Sequence, residues 1–169
     1  MHIETERKFL VLNEGYKALA VASHSVRQGY IAHEKGRTVR VRISDGTGWL
    51  TIKGPSANGI SRMEWEKEIP LRDAEDLFLL CHGGQIEKTR WIVPAMDAEG
   101  QDTERFFEVD EFFGDNAGLT VAEIELGSED ESFFRPEWLG TEVTGDRRYY
   151  NSALLARPYK DWKTGEEGH

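Results

Sequence analysis

The chain has 169 residues, of which 31% are charged and 38% are hydrophobic, and its formal net charge is −10 at pH 7. This length predicts one domain that is large enough to bury a hydrophobic core. The acidic balance argues against non-specific binding to nucleic acid, which needs a positive field. It still permits a small anionic ligand, since a local cluster of bases can act inside an acidic protein.

Cysteine content and hydropathy exclude further classes of protein. Cys81 is the only cysteine, so the sequence predicts neither an intramolecular disulfide nor a thiolate zinc site. No apolar run approaches the ~20 residues that span a bilayer, and the charged, patterned N-terminus does not resemble a signal peptide. We therefore expect a cytoplasmic protein that does not contact a membrane.

The first eleven residues alternate as a β-strand, with Glu4, Glu6 and Lys8 on one face. Two carboxylates two residues apart on a strand predict a site for a hard divalent cation, which prefers oxygen ligands. Taken alone, the same pattern is typical of a solvated strand face. The metal site is favoured because paired charges recur along the rest of the chain.

Strand patterns follow at seven further places, and short turns join them. The segments are residues 25–34, 38–44, 49–54, 61–70, 85–93, 104–112 and 119–127. Residues 71–80 fit an amphipathic helix that Gly83 and Gly84 end. Residues 142–155 predict a short strand and then a helix capped at Asp146.

About eight strands joined by short loops predict an antiparallel sheet closed on itself. The expected fold is therefore mainly β (α+β), an eight-stranded antiparallel closed β-barrel with a few flanking helices. We expect a single domain over residues 1–157 and a C-terminal tail over residues 158–169, of which residues 165–169 are expected to be disordered.

The charged strand faces carry like charges two residues apart: Glu4/Glu6, Arg40/Arg42, Glu64/Glu66, Lys88/Arg90 and Glu123/Glu125. Like charges at this separation repel, so a solvated surface gains nothing from repeating them. A site for a polyanion with divalent cations gains a great deal, because bases bind phosphate oxygens and carboxylates bind Mg²⁺ or Mn²⁺. Burial of so much charge requires that both signs and the ligand neutralise one another.

The segment Glu4-Thr5-Glu6-Arg7-Lys8 resembles the ExExK signature of the CYTH, or triphosphate tunnel metalloenzyme, superfamily. The resemblance covers residues 2–157, and its ordered motifs include Gln28-Gly29-Tyr30, Arg40-Val41-Arg42, Lys88-Thr89-Arg90 and Glu108-Val109-Asp110. The second-strand motif and residues 146–151 are most similar to the short bacterial inorganic triphosphatases. The resemblance implies an eight-stranded tunnel that binds a triphosphate and one or two divalent metals.

The resemblance also implies a role for each group of charged residues. Metal ligands for Mg²⁺ or Mn²⁺ would be Glu4, Glu6, Glu123 and Glu125. The phosphate clamp would consist of Lys8, Arg40, Arg42, Lys53, Lys88 and Arg90, and Arg148 is a further candidate near a tunnel mouth. Glu64 and Glu66 would orient metal-bound water, and Lys8 and Tyr30 would act together at it. Lys8 would serve either as a base or as an electrostatic stabiliser, and the sequence leaves both roles open.

The implied function is metal-dependent hydrolysis of inorganic tripolyphosphate to pyrophosphate and phosphate. The same clamp and metals would also serve a class IV adenylate cyclase or a thiamine-triphosphatase. Two non-enzymatic alternatives are a polyphosphate-binding module and a plain β-barrel with a solvated charged face. The expected partner is a small-molecule triphosphate, with no nucleic acid and no membrane, and the expected state is a monomer or a homodimer.

Overall fold

The computed structural model describes residues 2–162. Their strands and α-helices follow the order β1 (His2–Val11), α1 (Gly15–Leu19), β2 (Ala22–Glu34), β3 (Arg37–Ser44), β4 (Thr47–Lys53), β5 (Ser61–Ile69), α2 (Leu71–Phe78), β6 (His82–Met96), β7 (Asp102–Phe112), β8 (Thr120–Glu125), β9 (Leu139–Glu142) and α3 (Asn151–Ala156). Within these residues no helix is both long enough and apolar enough to span a membrane.

The strands form one antiparallel sheet in the order β5-β4-β3-β2-β6-β7-β8-β1-β9. Strand β1 closes this sheet, because it pairs with β8 over residues 6–10 and with β5 over residues 2–5. Eight strands therefore make a closed antiparallel barrel, which confirms the predicted fold class. Strand β9 is an addition that pairs with the end of β1.

The structure departs from the predicted elements where strand β6 begins. Gly83 and Gly84 do not end helix α2 as a C-cap but belong to β6, and their φ angles are 78° and 90°. Glycine adopts such angles without the steric penalty of a Cβ atom, so the chain can pass from helix to strand within a few residues. At the other end of the chain, the Asp146 side chain accepts the backbone N–H of Arg148, as a cap does. It caps a 3-10 turn over Arg147–Tyr149, however, and the α-helix begins only at Asn151, without a side-chain cap.

The outward faces of four neighbouring strands form a hydrophobic core outside the barrel. Tyr16 of α1 and Trp138 cover this face, and their rings meet edge to face at a centroid distance of 5.8 Å. The strands contribute Phe9, Val93, Ala95, Phe107, Val109, Ala122 and Ile124. Because side chains alternate across a strand, the same strands present their other face to the barrel interior.

The interior is charged along most of its length and apolar at one end. On β1 the face that carries Glu4, Glu6 and Lys8 continues with Leu10, which is buried. A second hydrophobic core fills this end and comprises Leu10, Ile86, Phe112, Leu119, Val121, Val143, Tyr149 and Leu154. The C-terminal segment therefore closes one end of the barrel, and the charged side chains line the remainder.

The first residues of the expected tail pack on the domain. The Tyr159 backbone N–H donates to Asn116 Oδ1 at 2.8 Å, and the Trp162 ring lies 5.1 Å from the Tyr149 ring. Residues 165–169, which we expect to be disordered, lie outside the described residues. The domain boundary at residue 157 stays a prediction.

Strand β4 passes close to helix α2 at Gly48. A Cβ atom at this position would lie 2.7 Å from Ala74 Cβ, whereas one at Gly54 would have Met63 Cβ as its nearest neighbour at 3.7 Å. We expect Gly48→Ala to lower the free energy of unfolding by about 1–3 kcal/mol through overpacking, and Gly54→Ala to change it by less than about 0.5 kcal/mol. Urea unfolding of the two variants measures the difference, and equal stabilities would contradict this packing.

Candidate active site

The barrel encloses a central cavity of about 640 Å³. All the sequence-predicted site residues except Arg148 line it: Glu4, Glu6, Lys8, Tyr30, Arg40, Arg42, Lys53, Glu64, Glu66, Lys88, Arg90, Glu123 and Glu125. Their strands alternate between an inward charged face and an outward apolar face, so closure of the sheet brings residues of seven strands to one space. The structure thus assembles the predicted set, and the role of each member stays a prediction.

Arg148 is not among the residues that line the cavity, and its side chain binds Asp146, which caps the turn that contains it. Its Nη2 donates to Asp146 Oδ2 at 2.6 Å, and its guanidinium lies 5.5 Å from the centroids of the Tyr149 and Trp162 rings. The preceding residue, Arg147, lines the cavity. The position of Arg148 therefore does not support its predicted contact with substrate, and Arg147 is the arginine of this turn that reaches the cavity.

A cluster of carboxylates surrounds Lys53 on one wall of the cavity. Lys53 Nζ lies 2.9 Å from Glu4 Oε2 and 3.4 Å from Glu64 Oε2. Burial and the hydrogen bond with Glu4 raise the pKa of Glu64 to about 7. Burial opposes ionisation of Glu4 as well, but the hydrogen bond with Glu64 and the charge of Lys53 hold its pKa below the ordinary range. The two carboxyl groups therefore share a proton near neutral pH.

Nearby cations compensate the negative charges of Glu6 and Glu123 unequally. Glu123 Oε1 lies 3.6 Å from Lys8 Nζ, and Lys8 and Arg90 lower the pKa of Glu123 against the effect of burial. Burial raises the pKa of Glu6, and the negative charges of Glu123 and Glu4 raise it further. Glu6 is thus a cavity-lining carboxyl group whose ionisation is opposed by burial and its acidic neighbours more strongly than Lys53 and Lys8 favour it.

The environment of Glu6 bears on whether the site suits a divalent cation. Within residues 2–162, no three or more His, Cys, Asp or Glu side chains are arranged to hold a metal ion. Mg²⁺ usually binds one or two carboxylates and completes its shell with water and substrate phosphates, so a preformed cage is not required. The carboxyl oxygens that line this wall therefore fit a hard divalent cation, whose positive charge would favour the ionised form of Glu6.

Asp110 joins two cations of the opposite wall, and the sequence analysis did not assign it to the site. It accepts from Lys88 Nζ at 2.7 Å and from Arg90 Nε and Nη2 at 2.8 and 2.9 Å. Burial would raise its pKa, but Arg90 and Lys88 lower it well below the ordinary value. A signal was present, since Asp110 shares a strand face with Glu108, but its pairing with Arg90 depends on the register of β6 and β7.

The guanidinium group of Arg40 on β3 is only partly hydrogen-bonded by the residues that the structure describes. Arg40 Nη2 donates to Thr51 Oγ1 at 3.1 Å, and Thr51 in turn donates to Glu66 at 2.7 Å. Arg40 Nε is buried and finds no hydrogen-bond partner among the residues that the structure describes. Buried N–H groups are rarely left unpaired, so this one fits the oxygen of a bound anion.

Lys8 and Tyr30 both reach the cavity but contact different groups. The Lys8 ammonium lies 4.9 Å from the centroid of the Tyr150 ring, in addition to its contact with Glu123. The Tyr30 hydroxyl accepts a hydrogen bond from Gln28 Nε2 at 3.3 Å. Tyr150 was not predicted, because it belongs to the C-terminal segment and no local pattern indicates that this segment returns to the barrel.

Fold and cavity together define a closed antiparallel β-barrel protein whose interior cavity is lined by side chains of both charges. The CYTH domain model matches residues 2–153 of the chain. The protein therefore belongs to the CYTH family.

Three relatives show which members of this family the chain resembles. The chain is 47% identical over 161 residues to an inorganic triphosphatase of Acetivibrio thermocellus, covering 95% of this chain and 97% of the relative. It is 35% identical over 154 residues to an inorganic triphosphatase of Nitrosomonas europaea, covering 89% and 95%. A crystal structure of an inorganic triphosphatase matches with a TM-score of 0.61 and 32% identity, covering 92% and 95% of the two chains.

The buried ion pairs of Asp110 lead to a stability prediction. Asp110 is 2% exposed, and its replacement by asparagine leaves Lys88 and Arg90 without their shared counter-charge. Removal of one partner of a buried ion pair typically costs about 3–5 kcal/mol, so we expect Asp110→Asn to lower the free energy of unfolding by this amount. Asp76→Asn on the exposed side of α2 is the matched control. Equal urea midpoints for the two variants would contradict the buried pairing.

Proposed function

We propose that this protein is a divalent-metal-dependent triphosphatase that hydrolyses inorganic tripolyphosphate to pyrophosphate and phosphate. The observation that carries the proposal is the convergence of clamp cations from four strands on one cavity that also holds carboxylates. Such an arrangement suits a polyanion that bridges to a cation, because each sign of charge then finds a partner. Its two close relatives, both inorganic triphosphatases, support the same reaction.

The clamp binds the substrate through phosphate oxygens. Arg40 lines the cavity, and its Nε has no hydrogen-bond partner among residues 2–162. Arg42, which is held at Gln28, stays positively charged at neutral pH although burial and Arg40 lower its pKa to about 9. Lys88 and Arg90 are held opposite by Asp110. Clamp residues that are already bonded to the barrel lose little freedom on binding, so they orient the terminal phosphate for attack in line with the leaving pyrophosphate.

Glu64 and Lys8 are the groups that would accept a proton and stabilise charge at the reacting phosphate. Glu64, with its pKa near 7, is suited to orient the attacking water and to accept its proton at neutral pH. Lys8 keeps an ammonium near Glu123 and Tyr150, where it stabilises negative charge that develops on the phosphate oxygens. Tyr30 would orient the water or phosphate through its hydroxyl.

Glu4, Glu6, Glu123 and Glu125 would hold the cation, and Glu4 and Glu123 also contact the clamp cations Lys53 and Lys8. When bound, Mg²⁺ or Mn²⁺ supplies positive charge that neutralises phosphate oxygens and polarises the scissile bond. His2 and Glu125 lie 3.3 Å apart at the exposed edge of this group, so Glu125 has a competing partner whenever His2 is protonated. At Glu6, burial and the charges of Glu123 and Glu4 outweigh the attraction of Lys53 and Lys8, so its substitution is the sharper test of a bound cation.

We expect Glu4→Gln and Glu6→Gln each to lower kcat/KM for tripolyphosphate by about 10²-fold or more, since charge stabilisation at the phosphate is lost. Glu87→Gln, an exposed residue on the outer face of β6, should leave activity unchanged. Phosphate release in Mg²⁺, in Mn²⁺ and in excess EDTA measures the effect. Undiminished activity in EDTA, or of Glu6→Gln in either metal, would refute the metal assignment.

A further prediction concerns which triphosphate the protein hydrolyses fastest. We expect faster phosphate release from tripolyphosphate than from ATP or thiamine triphosphate, because the clamp contacts phosphate alone. Arg90→Ala should lower kcat/KM for tripolyphosphate by about 10²-fold, and by less for pyrophosphate, which is too short to engage every base. Arg72→Ala on the exposed face of α2 is the control. Formation of cyclic AMP from ATP faster than tripolyphosphate hydrolysis would favour the cyclase instead.

A further inference from the structure

Asn151 is the first residue of α3, a helix that packs against β6 and β2. Its side chain lines the central cavity. Its Oδ1 accepts two hydrogen bonds, from Lys88 Nζ at 2.8 Å and from Gln28 Nε2 at 2.8 Å. A residue from outside the barrel strands thus binds one cation of the clamp directly.

Gln28 extends this contact to a second cation. It is fully buried, and its Oε1 accepts from Arg42 Nε at 3.2 Å, while its Nε2 also lies 3.3 Å from the Tyr30 hydroxyl. Lysine and arginine have no acceptor atoms, so the amide oxygens of Asn151 and Gln28 must face Lys88 and Arg42. The chemistry of the partners therefore fixes the orientation of both amides.

Lys88 is surrounded by charged groups of both signs. Asp110 on β7 faces its ammonium, as do the cations Arg90 on its own strand and Arg42 on β3, and Glu123 on β8 also senses its charge. Burial, together with Arg90 and Arg42, lowers the pKa of Lys88 to about 7 despite Asp110. Asn151 is the neutral member of this group. It can orient the ammonium without adding a negative charge that would compete with phosphate.

We propose that Asn151 is a positioning residue, whose amide oxygen holds the Lys88 ammonium and the Gln28 amide and so fixes the spacing of Lys88, Arg42 and Tyr30 around the substrate. The inference rests on the proposed function, because this spacing matters only if the clamp binds a triphosphate. It gives helix α3, which is not part of the barrel sheet, a role in substrate binding.

The first test removes the acceptor with little change of volume. Asn151→Leu should raise KM for tripolyphosphate about tenfold, with a smaller change in kcat, because the lost hydrogen bonds hold groups that bind substrate. Asn116→Asp, which alters a buried asparagine far from the clamp in the chain, should keep the wild-type KM. A folded Asn151→Leu protein with wild-type KM would overturn the inference.

The second test keeps the acceptor and adds a charge. Asn151→Asp places a second carboxylate on Lys88, which should raise the Lys88 pKa by at least about one unit, and Asn116→Asp should leave it unchanged. The ¹³Cε signal of Lys88, identified by its loss in Lys88→Met, reports this titration in EDTA without substrate. An unchanged Lys88 midpoint in Asn151→Asp would overturn the contact.

The two readouts separate this inference from the proposed function. If the wild-type protein releases no phosphate from tripolyphosphate, the proposed function fails, while the titration still decides whether Asn151 holds Lys88. If the wild-type protein is active and both Asn151 variants behave like it, only the positioning role fails.

Discussion

Charge balance inside the barrel is the constraint on which the rest of the structure depends. An ion that is buried without a partner costs several kcal/mol, so a wall of lysines and arginines is tolerable only beside carboxylates. Asp110 between Lys88 and Arg90 meets this condition on one side of the cavity. Lys53 between Glu4 and Glu64 meets it on another. The sheet must close in one register for these partners to meet.

The balance is incomplete at two residues that line the cavity. Glu6 carries a carboxylate that its acidic neighbours destabilise, and Arg40 keeps a buried N–H group without an acceptor among the described residues. The first deficit is one of positive charge and the second is one of hydrogen-bond acceptors. A divalent cation with a polyphosphate supplies both, which is why a protein of strongly acidic net charge can bind an anion in its interior.

The apolar parts of the chain determine where this chemistry takes place. The outer core, covered by Tyr16 and Trp138, holds four strands in place without entering the barrel. The inner core, which includes Leu10 and Tyr149, fills one end of the interior and brings the C-terminal segment against the cavity. Asn151 lies between Tyr149 and Leu154 of this core, so hydrophobic burial places a polar side chain against Lys88.

The sequence by itself predicted about eight strands, several of them with one charged and one apolar face, because alternation at a period of two is a local property of the chain. The members of the clamp came from the family resemblance, and their roles stay predictions. The sequence did not determine the register of the strands. The pairing of Asp110 with Arg90, the approach of Tyr150 and Asn151, and the exchange of Arg148 for Arg147 at the cavity wall depend on contacts between distant residues. Only the closed barrel decided these, because hydrogen bonding between strands and packing of the C-terminal segment fix distances that no local pattern encodes.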